Sequence, residues 1–504
     1  MTILEKNLAA IAEKNKALYA RLHAIEANDD YRENVIAKTG QTIPVFKNGH
    51  ALHSKYNPEK EAESLFSQRD EFVLFCGIGA AIHVEFFLQA FPEKICAITD
   101  ISFEALKSLL QLVDLTSVIG SPRVIILPPV LSAEFSDCFL ASYFPARHGS
   151  LRVVVLRTWE QFYAAFLVQV NEVFSASVKK AQIDFATQAH FGKVWLKNIV
   201  RNLYAAATIS KVQSPLQLVS QEITQNKTAL ICGAGPSLTD SIPEIRRYRE
   251  RFAIFASDTA FAALMKSGIE ADFFLSVDPQ LVSLQHFAGE AKNTVGIFDL
   301  CASDALVRRF LQNGNRVVFT ASNHPLTQYA RRFGAFPFAN SSSGTVAIYA
   351  LDVAHRLGFC HFETAGLDFC YAGGKAYANG TYFEKQTATS CTKLFSHETF
   401  FSALMFRSAV IKSEAGDKLN YETEILRHYK LEAEQYHFDG GLWANSDFAS
   451  FRYTKFIQNL IDDLRDNKPD AETALLPFAA FCKKNQSDYS NEVAVKTILR
   501  YSLV

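Results

Sequence analysis

The sequence predicts an α/β protein with two Rossmann-like parallel-sheet domains, an N-terminal extension of helix and strands, and a C-terminal helical region. Short apolar runs alternate with helical stretches along most of the chain, which is the pattern of a parallel sheet covered by helices. That alternation starts twice, each time with an apolar strand that runs into a glycine turn, FVLFCGIG and then ALICGAG. A chain of 504 residues, 49% of them hydrophobic, is long enough for several cores.

The first part of the chain predicts an extension over residues 1–65 and a Rossmann-like domain over 66–210. The extension opens with the charged amphipathic pattern MTILEKNLAAIAEKNKALYARLHAIEAN and continues into short strands around TIPVFKNGHALHSKY. The domain then repeats strand and helix in EFVLFCGIGAAIHVEFFLQAF and KICAITDISFEALKSLLQLV, with further strands in VIILPPV and LRVVVLRT. From about Trp159 the pattern is helical.

The second alternation predicts a central nucleotide-binding domain over residues 211–385. Its apolar runs ALICGAG, RFAIFASD, DFFLSVDP, TVGIFDL, RVVFTAS and CHFETAGLD each end in small, polar or acidic residues. Residues 386–504 are more charged and carry helical periodicity, so we expect a helical domain there.

Composition excludes several classes of partner. With 51 Lys and Arg against 52 Asp and Glu, the formal charge is −1, and no overall field attracts nucleic acid or anionic lipid. The 9 cysteines are scattered through apolar runs without metal spacing, which favours reduced, buried thiols and no metal site. The sequence shows neither a signal peptide nor an apolar run of about eighteen residues. We therefore expect a cytoplasmic protein.

The glycine turn in ALICGAGPSLTDSIPEI is the strongest candidate for a ligand site. Gly233 and Gly235 would let backbone N–H groups approach an anion, and Pro236 and Ser237 stand where a helix is predicted to begin. A phosphate is the natural ligand of such a turn. A tight turn without any ligand also favours glycine, so this alternative stays open.

Polar residues follow the other predicted strands of the central domain. Because ligands of open α/β sheets bind outside the carboxyl ends of the strands, these residues are expected to line one site. Each single one could instead cap a helix. The candidates are Asp258, Asp278, Asn323, and Gly366 with Asp368.

Two further segments add candidate donors. The run Ser341–Gly344 stands directly before an amphipathic helix, so Ser343 and Gly344 could offer hydroxyl and N–H groups to an anion. The glycine loop in GLDFCYAGGKAYANG carries Tyr371 and Tyr377 beside the Asp368 strand end. Loop tyrosines usually pack, but phenols over a phosphate site would be good donors.

These motifs together resemble the motility accessory factor (Maf) flagellin glycosyltransferases. The resemblance is carried by GAGPSL, SDTAFAALMKSGIEADFFLSVDPQ, SSSGT and GLDFCYAGGKAYANG, and by LHSKYNPEKEAE with FVLFCGIGAAIHVEFF upstream. The central domain is also similar to the family 42 sialyltransferases and to a hydroxymethylpterin pyrophosphokinase-like domain. The likeness spans the chain to about Phe383.

The resemblance implies a protein O-glycosyltransferase that transfers a nonulosonic acid, of pseudaminic or legionaminic type, from a CMP-activated donor to Ser or Thr of flagellin, for flagellar assembly and motility. It implies no metal and no cofactor beyond the CMP-sugar substrate. Tyr377 would steady the leaving phosphate, with Tyr371 displaced by one position, and His397 is a loosely placed candidate base. Ala234, Asp258 and Asp278 stand where the sialyltransferases carry asparagines.

Two alternatives remain from the sequence. The acidic residues permit a pyrophosphokinase that acts on a hydroxymethyl, pterin-like substrate with ATP and Mg²⁺. The departures from the sialyltransferase pattern permit a non-catalytic flagellin-binding protein. In the first Rossmann-like domain, Gly77, Gly79 and Asp100 form the outline of a ribose-binding unit, for which a scaffold or recognition role is favoured over a methyltransferase or dehydrogenase site. The sequence leaves the oligomeric state open.

Overall fold

The fold is described from a computed structural model of the chain. It describes residues 1–209, 219–287, 291–341, 345–415, 418–438, 441–443 and 451–502. The chain divides into two compact units, the first formed by Met1–His190 with Lys483–Asn485 and the second by Phe191–Cys482 with Gln486–Val504. Within the described residues, no helix is long and apolar enough to cross a membrane.

The first unit contains six strands and most of the N-terminal helices. Its strands are β1 Tyr31–Ile36, β2 Thr42–Phe46, β3 Phe72–Cys76, β4 Cys96–Thr99, β5 Val124–Ile126 and β6 Leu151–Val155. Its helices are α1 Ile3–Lys14, α2 Lys16–Ala24, α3 Pro58–Ser64, α4 Ile82–Ala90, α5 Phe103–Leu112, α6 Thr116–Gly120, α7 Phe135–Ser142, α8 Pro145–His148 and α9 Arg157–Phe162, and the long helix α10, Leu167–Thr208, begins here.

A four-stranded parallel sheet forms the centre of the first unit, in the order β5-β4-β3-β6. Strand β3 is buried along its whole length, as its unbroken apolar sequence FVLFC requires. The predicted extension is integrated into the same core, because Leu8, Ile11 and Phe46 are buried in the cluster that covers this sheet. The buried amide of Asn7 also donates to the carbonyls of Leu110 and Val113.

In the part of the second unit that the structure describes, there are nine strands. They are β7 Thr228–Cys232, β8 Phe252–Ser257, β9 Phe273–Ser276, β10 Val295–Asp299, β11 Val317–Thr320, β12 Phe362–Ala365, β13 Tyr371–Ala372, β14 Ile411–Ala415 and β15 Lys418–Glu422. Its helices are α11 Gln221–Asn226, α12 Ser237–Arg247, α13 Asp258–Lys266, α14 Asp304–Gln312, α15 Pro325–Ala330, α16 Val346–Arg356, α17 Tyr382–Ala388, α18 His397–Met405, α19 Glu424–Glu434, α20 Tyr453–Arg465, α21 Pro469–Ala474, α22 Leu476–Lys484 and α23 Asn491–Ser502.

Six of these strands form a parallel sheet in the order β11-β10-β9-β8-β7-β12. The chain adds strands outward from β7 to β11 and then returns to place β12 on the other side of β7. The direction of winding therefore reverses next to β7, and the crevice at its carboxyl end is the expected place for a ligand. The two Rossmann-like parallel sheets predicted from the sequence are confirmed.

The C-terminal region contains one feature that its helical periodicity did not predict. Strands β14 and β15 pair antiparallel as a hairpin, and β15 also pairs with β13, so that Tyr371 lies opposite Tyr421. The short strands alternate charged and apolar residues, and helical periodicity on both sides hid them. The hairpin ties the region after α18 to the loop that carries the predicted tyrosines.

Candidate functional site

An open cavity of about 550 Å³ lies at the carboxyl end of β7, where the winding of the central sheet reverses. Its wall is formed in the second unit by the bend after β7, the first turns of α13 and α16, the segments after β12 and α18, and α19. The lining includes Gly233, Ala234, Gly235, Asp258, Thr345, Gly366, Tyr371, Tyr377, Arg407 and Tyr429. The volume is in the range of a nucleotide-sized ligand site.

The bend after β7 is held by the end of strand β12. The N–H of Gly233 donates to the carbonyl of Ala365, and the N–H of Gly235 donates to the carbonyl of Gly366, both at 2.8 Å. Gly366 adopts a φ of +68°, and a Cβ there would lie 2.3 Å from the carbonyl oxygen of Gly233. Glycine is therefore required at 366 for the close approach of two backbones.

The amino end of α12 carries a protein carboxylate. Asp368 Oδ2 accepts a hydrogen bond of 2.9 Å from the Ser237 hydroxyl and one of 3.2 Å from the Ser237 N–H. A Cβ on Gly235 would lie 2.0 Å from the same oxygen. Pro236 has no N–H to offer. The carboxylate of Asp368 thus takes the anion position that the sequence assigned to a phosphate on the Gly233–Ser237 bend.

Asp258 is buried at the start of α13 and faces the cavity. One carboxylate oxygen accepts from the Thr259 N–H at 2.7 Å, and the other accepts from the Ser276 hydroxyl at 2.7 Å. His286 Nδ1 lies 3.6 Å from it. Burial alone would raise the pKa of Asp258, but His286, Ser276 and the Thr259 N–H outweigh burial and lower it. The cavity therefore contains an ionised carboxylate at neutral pH.

Phenol groups form another part of the wall. Tyr377 and Tyr371 line the cavity, as the sequence predicted. The ring of Tyr377 lies 6.1 Å from that of Tyr382, and burial, followed by the neighbouring Tyr382, raises the pKa of Tyr377. Burial also raises the pKa of Tyr382. Both phenols therefore stay protonated and can donate to an anion.

Arg407 was missed by the sequence interpretation. It lies after α18, in the apolar stretch FFSALMFRSAV with no motif around it, and it is exposed. Of the described residues that line the cavity, it alone carries a positive charge. Its charge acts on both Tyr377 and Tyr382. The arginine and the phenols thus converge on one side of the cavity.

The amino end of α16 also opens onto this cavity. Thr345 is the N-cap residue and accepts from the N–H of Ala347 at 3.3 Å, and the lining includes Thr345, Val346 and Ala347. The partial positive charge of a helix amino terminus favours an anion there. Ser343 and Gly344, predicted at this place, lie outside the described residues, while Ser341 donates to the buried carboxylate of Asp299 at 3.0 Å.

Six predicted site residues lie outside the described lining of this cavity: Pro236, Ser237 and Asp368 at the bend, and three residues elsewhere. Asp278 follows β9, where its carboxylate accepts from the Gln280 N–H at 2.8 Å and burial raises its pKa. Asn323 is exposed after β11, the edge strand, four strands away from β7. His397 begins α18 and shares a hydrogen bond of 2.9 Å with the hydroxyl of Thr387. Position at a strand end was too coarse a criterion for a shared site.

In the first unit, the corresponding crevice is filled by side chains. Trp159 is fully buried against Gly77, and its indole N–H donates to Asp100 at 3.0 Å. A Cβ on Gly79 would lie 2.6 Å from Nε2 of His53, which accepts from the N–H of Ala80. Protein side chains therefore fill the space beside Gly77, Gly79 and Asp100, where the sequence outlined a ribose-binding unit. This agrees with the favoured scaffold role.

The central part of the chain matches a family model, and nearly the whole chain is similar in structure to a solved protein. A family model described as "MptE-like: 6-hydroxymethylpterin diphosphokinase MptE-like" matches residues 197–374. Among solved structures, the Maf glycosyltransferase from Magnetospirillum magneticum AMB-1 aligns with a TM-score of 0.54 and 14% identity, over 99% of this chain and 89% of that one. The match shows a shared fold.

Two uncharacterized proteins of Treponema pallidum (strain Nichols) are closer in sequence. One is 37% identical over 211 residues, which is 41% of this chain and 75% of the relative. The other is 37% identical over 172 residues, which is 34% of this chain and 78% of the relative. The chain therefore belongs to the same family as these Treponema proteins, and its MptE-like domain and Maf fold confirm the resemblance recognised from its motifs.

Proposed function

We propose that this protein is a cytoplasmic O-glycosyltransferase that moves a nonulosonic acid, of pseudaminic or legionaminic type, from a CMP-activated donor to Ser or Thr hydroxyls of flagellin. One observation carries the proposal. The open cavity at the winding reversal combines an ionised carboxylate, Asp258, with cationic and phenolic donors, Arg407 and Tyr377. That combination matches the two charges that develop when a sugar leaves a nucleotide phosphate.

The transfer breaks the bond between the anomeric carbon of the sugar and the phosphate oxygen of CMP. The acceptor hydroxyl oxygen forms a new bond to that carbon and gives up its proton, and CMP leaves with the bonding electron pair. Positive charge develops on the sugar ring while negative charge grows on the phosphate. The protein can lower the barrier by stabilising both charges at once.

Arg407, Tyr377 and the amino end of α16 form the phosphate side of the site. An arginine and phenol hydroxyls are strong donors to phosphate oxygens, and a helix amino terminus adds partial positive charge. Because burial keeps the phenol of Tyr377 protonated, it retains its proton for donation at neutral pH. Neutralisation by these groups needs no metal ion, so the CMP-sugar serves as donor substrate without a further cofactor.

Asp258 is the carboxylate of the site. Its lowered pKa keeps the carboxylate ionised at neutral pH. The ionised carboxylate can stabilise the positively charged sugar ring and can accept the proton of the acceptor hydroxyl. Hydrogen bonds from Ser276 and Thr259 fix its orientation. Asp258 thus replaces His397, which is away from the cavity, as our preferred base.

The proposal is supported by the Maf fold and by the named role of the Magnetospirillum protein as a glycosyltransferase. The test combines purified protein with flagellin and either CMP-pseudaminate or CMP-legionaminate. We expect CMP release and a mass increase of flagellin by one sugar residue, both lost in Asp258→Asn. A wild-type protein that releases no CMP and adds no mass with either donor would refute the proposal.

A second candidate function follows from the family model, whose description names a 6-hydroxymethylpterin diphosphokinase. That reaction would use ATP and Mg²⁺, with Asp258 as the carboxylate that faces the cavity. A thermal-shift screen separates the candidates, because a ligand at one hundred times its dissociation constant adds about 2.7 kcal/mol of stability. Stabilisation by cytidine nucleotides favours the transferase, and stabilisation by ATP with Mg²⁺ alone favours the kinase. Flagellin binding without any nucleotide effect would favour a non-catalytic binding protein.

A further inference from the structure

A second cavity, of about 690 Å³, lies beside the candidate donor site in the same unit. It is formed by the outer face of α13, the segment around Phe287, and the stretch from Gly380 through α17. Its wall includes Met265, Lys266, Phe287, Tyr382, Ala388 and His397. Of the residues that the sequence proposed for catalysis or ligand binding, only His397 belongs to its described lining.

The two cavities share a partition made of two phenols. Tyr377 lines the first cavity and Tyr382 lines the second. Their ring centroids are 6.1 Å apart, with the rings tilted by 53°. A group that reaches past this pair from the second cavity would meet a sugar phosphate bound in the first.

A buried histidine lies behind the partition. The ring of His286 is 4.5 Å from that of Tyr382, and its Nδ1 is 3.6 Å from Asp258. Only 5% of His286 is exposed; Nδ1 pairs with Asp258, while Nε2 has no hydrogen-bond partner among the described residues. His286 therefore links Tyr382, which lines the second cavity, to Asp258, which faces the first.

The lining of the second cavity is amphipathic. Met265 and Phe287 supply apolar surface, while the rim carries the ion pair of Lys266 with Glu384 at 3.1 Å. His397, the base candidate from the sequence, belongs to this second cavity. A mixed apolar and charged pocket of this size fits several residues of a polypeptide better than a compact, highly hydroxylated sugar.

We propose that the second cavity binds the polypeptide segment that carries the acceptor Ser or Thr. The segment would lie across α13 and α17 and present its hydroxyl to the donor sugar at the Tyr377–Tyr382 partition. Two adjoining sites that meet at one point hold both substrates in the geometry that transfer needs. This inference rests on the proposed transferase function and adds where the acceptor binds.

The test fills the second cavity without disturbing the first. Ala388 is exposed and lines the second cavity, so Ala388→Trp places an indole in the path of the acceptor. Gln386→Trp is the matched control, because Gln386 is exposed on the same helix and does not belong to the described lining. Fluorescence anisotropy with labelled flagellin measures acceptor binding, calorimetry with CMP measures the donor site, and a transfer assay gives KM for flagellin.

We expect Ala388→Trp to weaken flagellin binding and raise KM for flagellin at least about tenfold, which corresponds to roughly 1.4 kcal/mol. The affinity for CMP should stay within about twofold of wild type, which also shows that the variant folds. Gln386→Trp should behave as wild type. Unchanged flagellin binding in Ala388→Trp, or equal losses in both variants, would overturn the acceptor assignment while leaving the transferase proposal standing. A wild-type protein without CMP binding or transfer would overturn both.

Discussion

The sheets of the two Rossmann-like units contain nearly the same glycine motif. In the first unit this motif borders a filled crevice, and in the second it borders an open cavity. In both, a buried strand ending in cysteine runs into a Gly-x-Gly bend, Gly77–Gly79 or Gly233–Gly235, and the next strand leads to a buried aspartate, Asp100 or Asp258. In the first unit, Trp159 fills the crevice. In the second, an open cavity remains.

The difference shows what decides whether a glycine bend becomes a ligand site. Asp100 has protein donors on both oxygens, the indole of Trp159 on one and the hydroxyl of Tyr31 on the other, in a position closed to solvent. Asp258 is as well hydrogen-bonded but faces a cavity that phenols and an arginine also line. The glycine bend leaves space beside the backbone. Residues far away in sequence decide whether a protein side chain or a ligand fills that space.

The largest expected effect comes from emptying the closed crevice. Trp159→Ala should lower the free energy of unfolding by about 3–5 kcal/mol, because it leaves a cavity beside β3 and removes a donor from buried Asp100. Urea unfolding measures the change, and hydrogen exchange of the β3 and β4 amides localises it to the first unit.

Phe166→Ala is the matched control for this prediction. Phe166 lies in the same unit but is 45% exposed, so its removal should change the free energy of unfolding by no more than about 0.5 kcal/mol. A loss of unfolding free energy in Trp159→Ala as small as that of the control would mean that Trp159 does not stabilise the first unit by filling its crevice. The contrast between the two units would then be wrong.

The next effect concerns the open site. Arg407→Ala should weaken CMP binding by about 1.5–3 kcal/mol, which is roughly ten- to a hundredfold, since a charged hydrogen bond to phosphate is lost. Calorimetry at constant ionic strength measures the affinity. Arg427→Ala is the control, because Arg427 is also exposed but pairs with Glu422 at 3.6 Å outside the described lining. Equal affinities of Arg407→Ala and wild type would remove Arg407 from the phosphate site.

Local patterns predicted the elements, and they predicted part of the site. Apolar runs and glycine turns located both parallel sheets, because burial on both faces leaves a continuous apolar signature in each strand. Asp258 was found because it follows a predicted strand, and Tyr371 and Tyr377 because they lie on a glycine loop. The hairpin of β14 and β15 was missed, since its alternation is short and flanked by helices.

The remaining features depend on contacts that no local pattern encodes. Ser237 and Asp368 are 131 residues apart, so the sequence could not show that Ser237 donates its hydrogen bonds to the carboxylate of Asp368. Arg407 stands alone as a charged residue in the apolar stretch FFSALMFRSAV, which carries no motif. Trp159 follows β6 with no motif to mark it as the plug of a crevice formed by β3 and β4.

A smaller effect is expected at the bend itself. Asp368→Ala and Ser237→Ala should each cost about 0.5–2 kcal/mol in the free energy of unfolding, the usual value of a helix cap, and the double variant should cost little more than either. A double-mutant cycle in urea measures the coupling. CMP affinity should change little in Ser237→Ala. A large loss of CMP affinity there, with stability intact, would return the phosphate to the Gly233–Ser237 bend.

The smallest expected effect concerns the pH dependence of stability, which should have opposite signs for Asp100 and Asp258. Burial raises the pKa of Asp100 above its ordinary value of 3.8, whereas His286 and the hydrogen bonds to Asp258 overcome burial and lower the pKa of that residue. For Asp100, the linked contribution to stability is complete below pH 3.8 and is lost as pH rises through the raised pKa. For Asp258, it is complete above pH 3.8 and is lost as pH falls through the lowered pKa.

Urea unfolding as a function of pH, with Asp100→Asn and Asp258→Asn as references, measures these two contributions. Asparagine keeps the shape of the side chain and removes the titration, so the stability difference between wild type and each variant isolates one aspartate. For Asp100 the difference should shrink as pH rises above 3.8, and for Asp258 it should shrink as pH falls below 3.8. Slopes of the same sign would mean that the two carboxylates share one kind of environment. The filled crevice and the open cavity would then not differ electrostatically, and the case for Asp258 as an ionised group beside a sugar would lose its support.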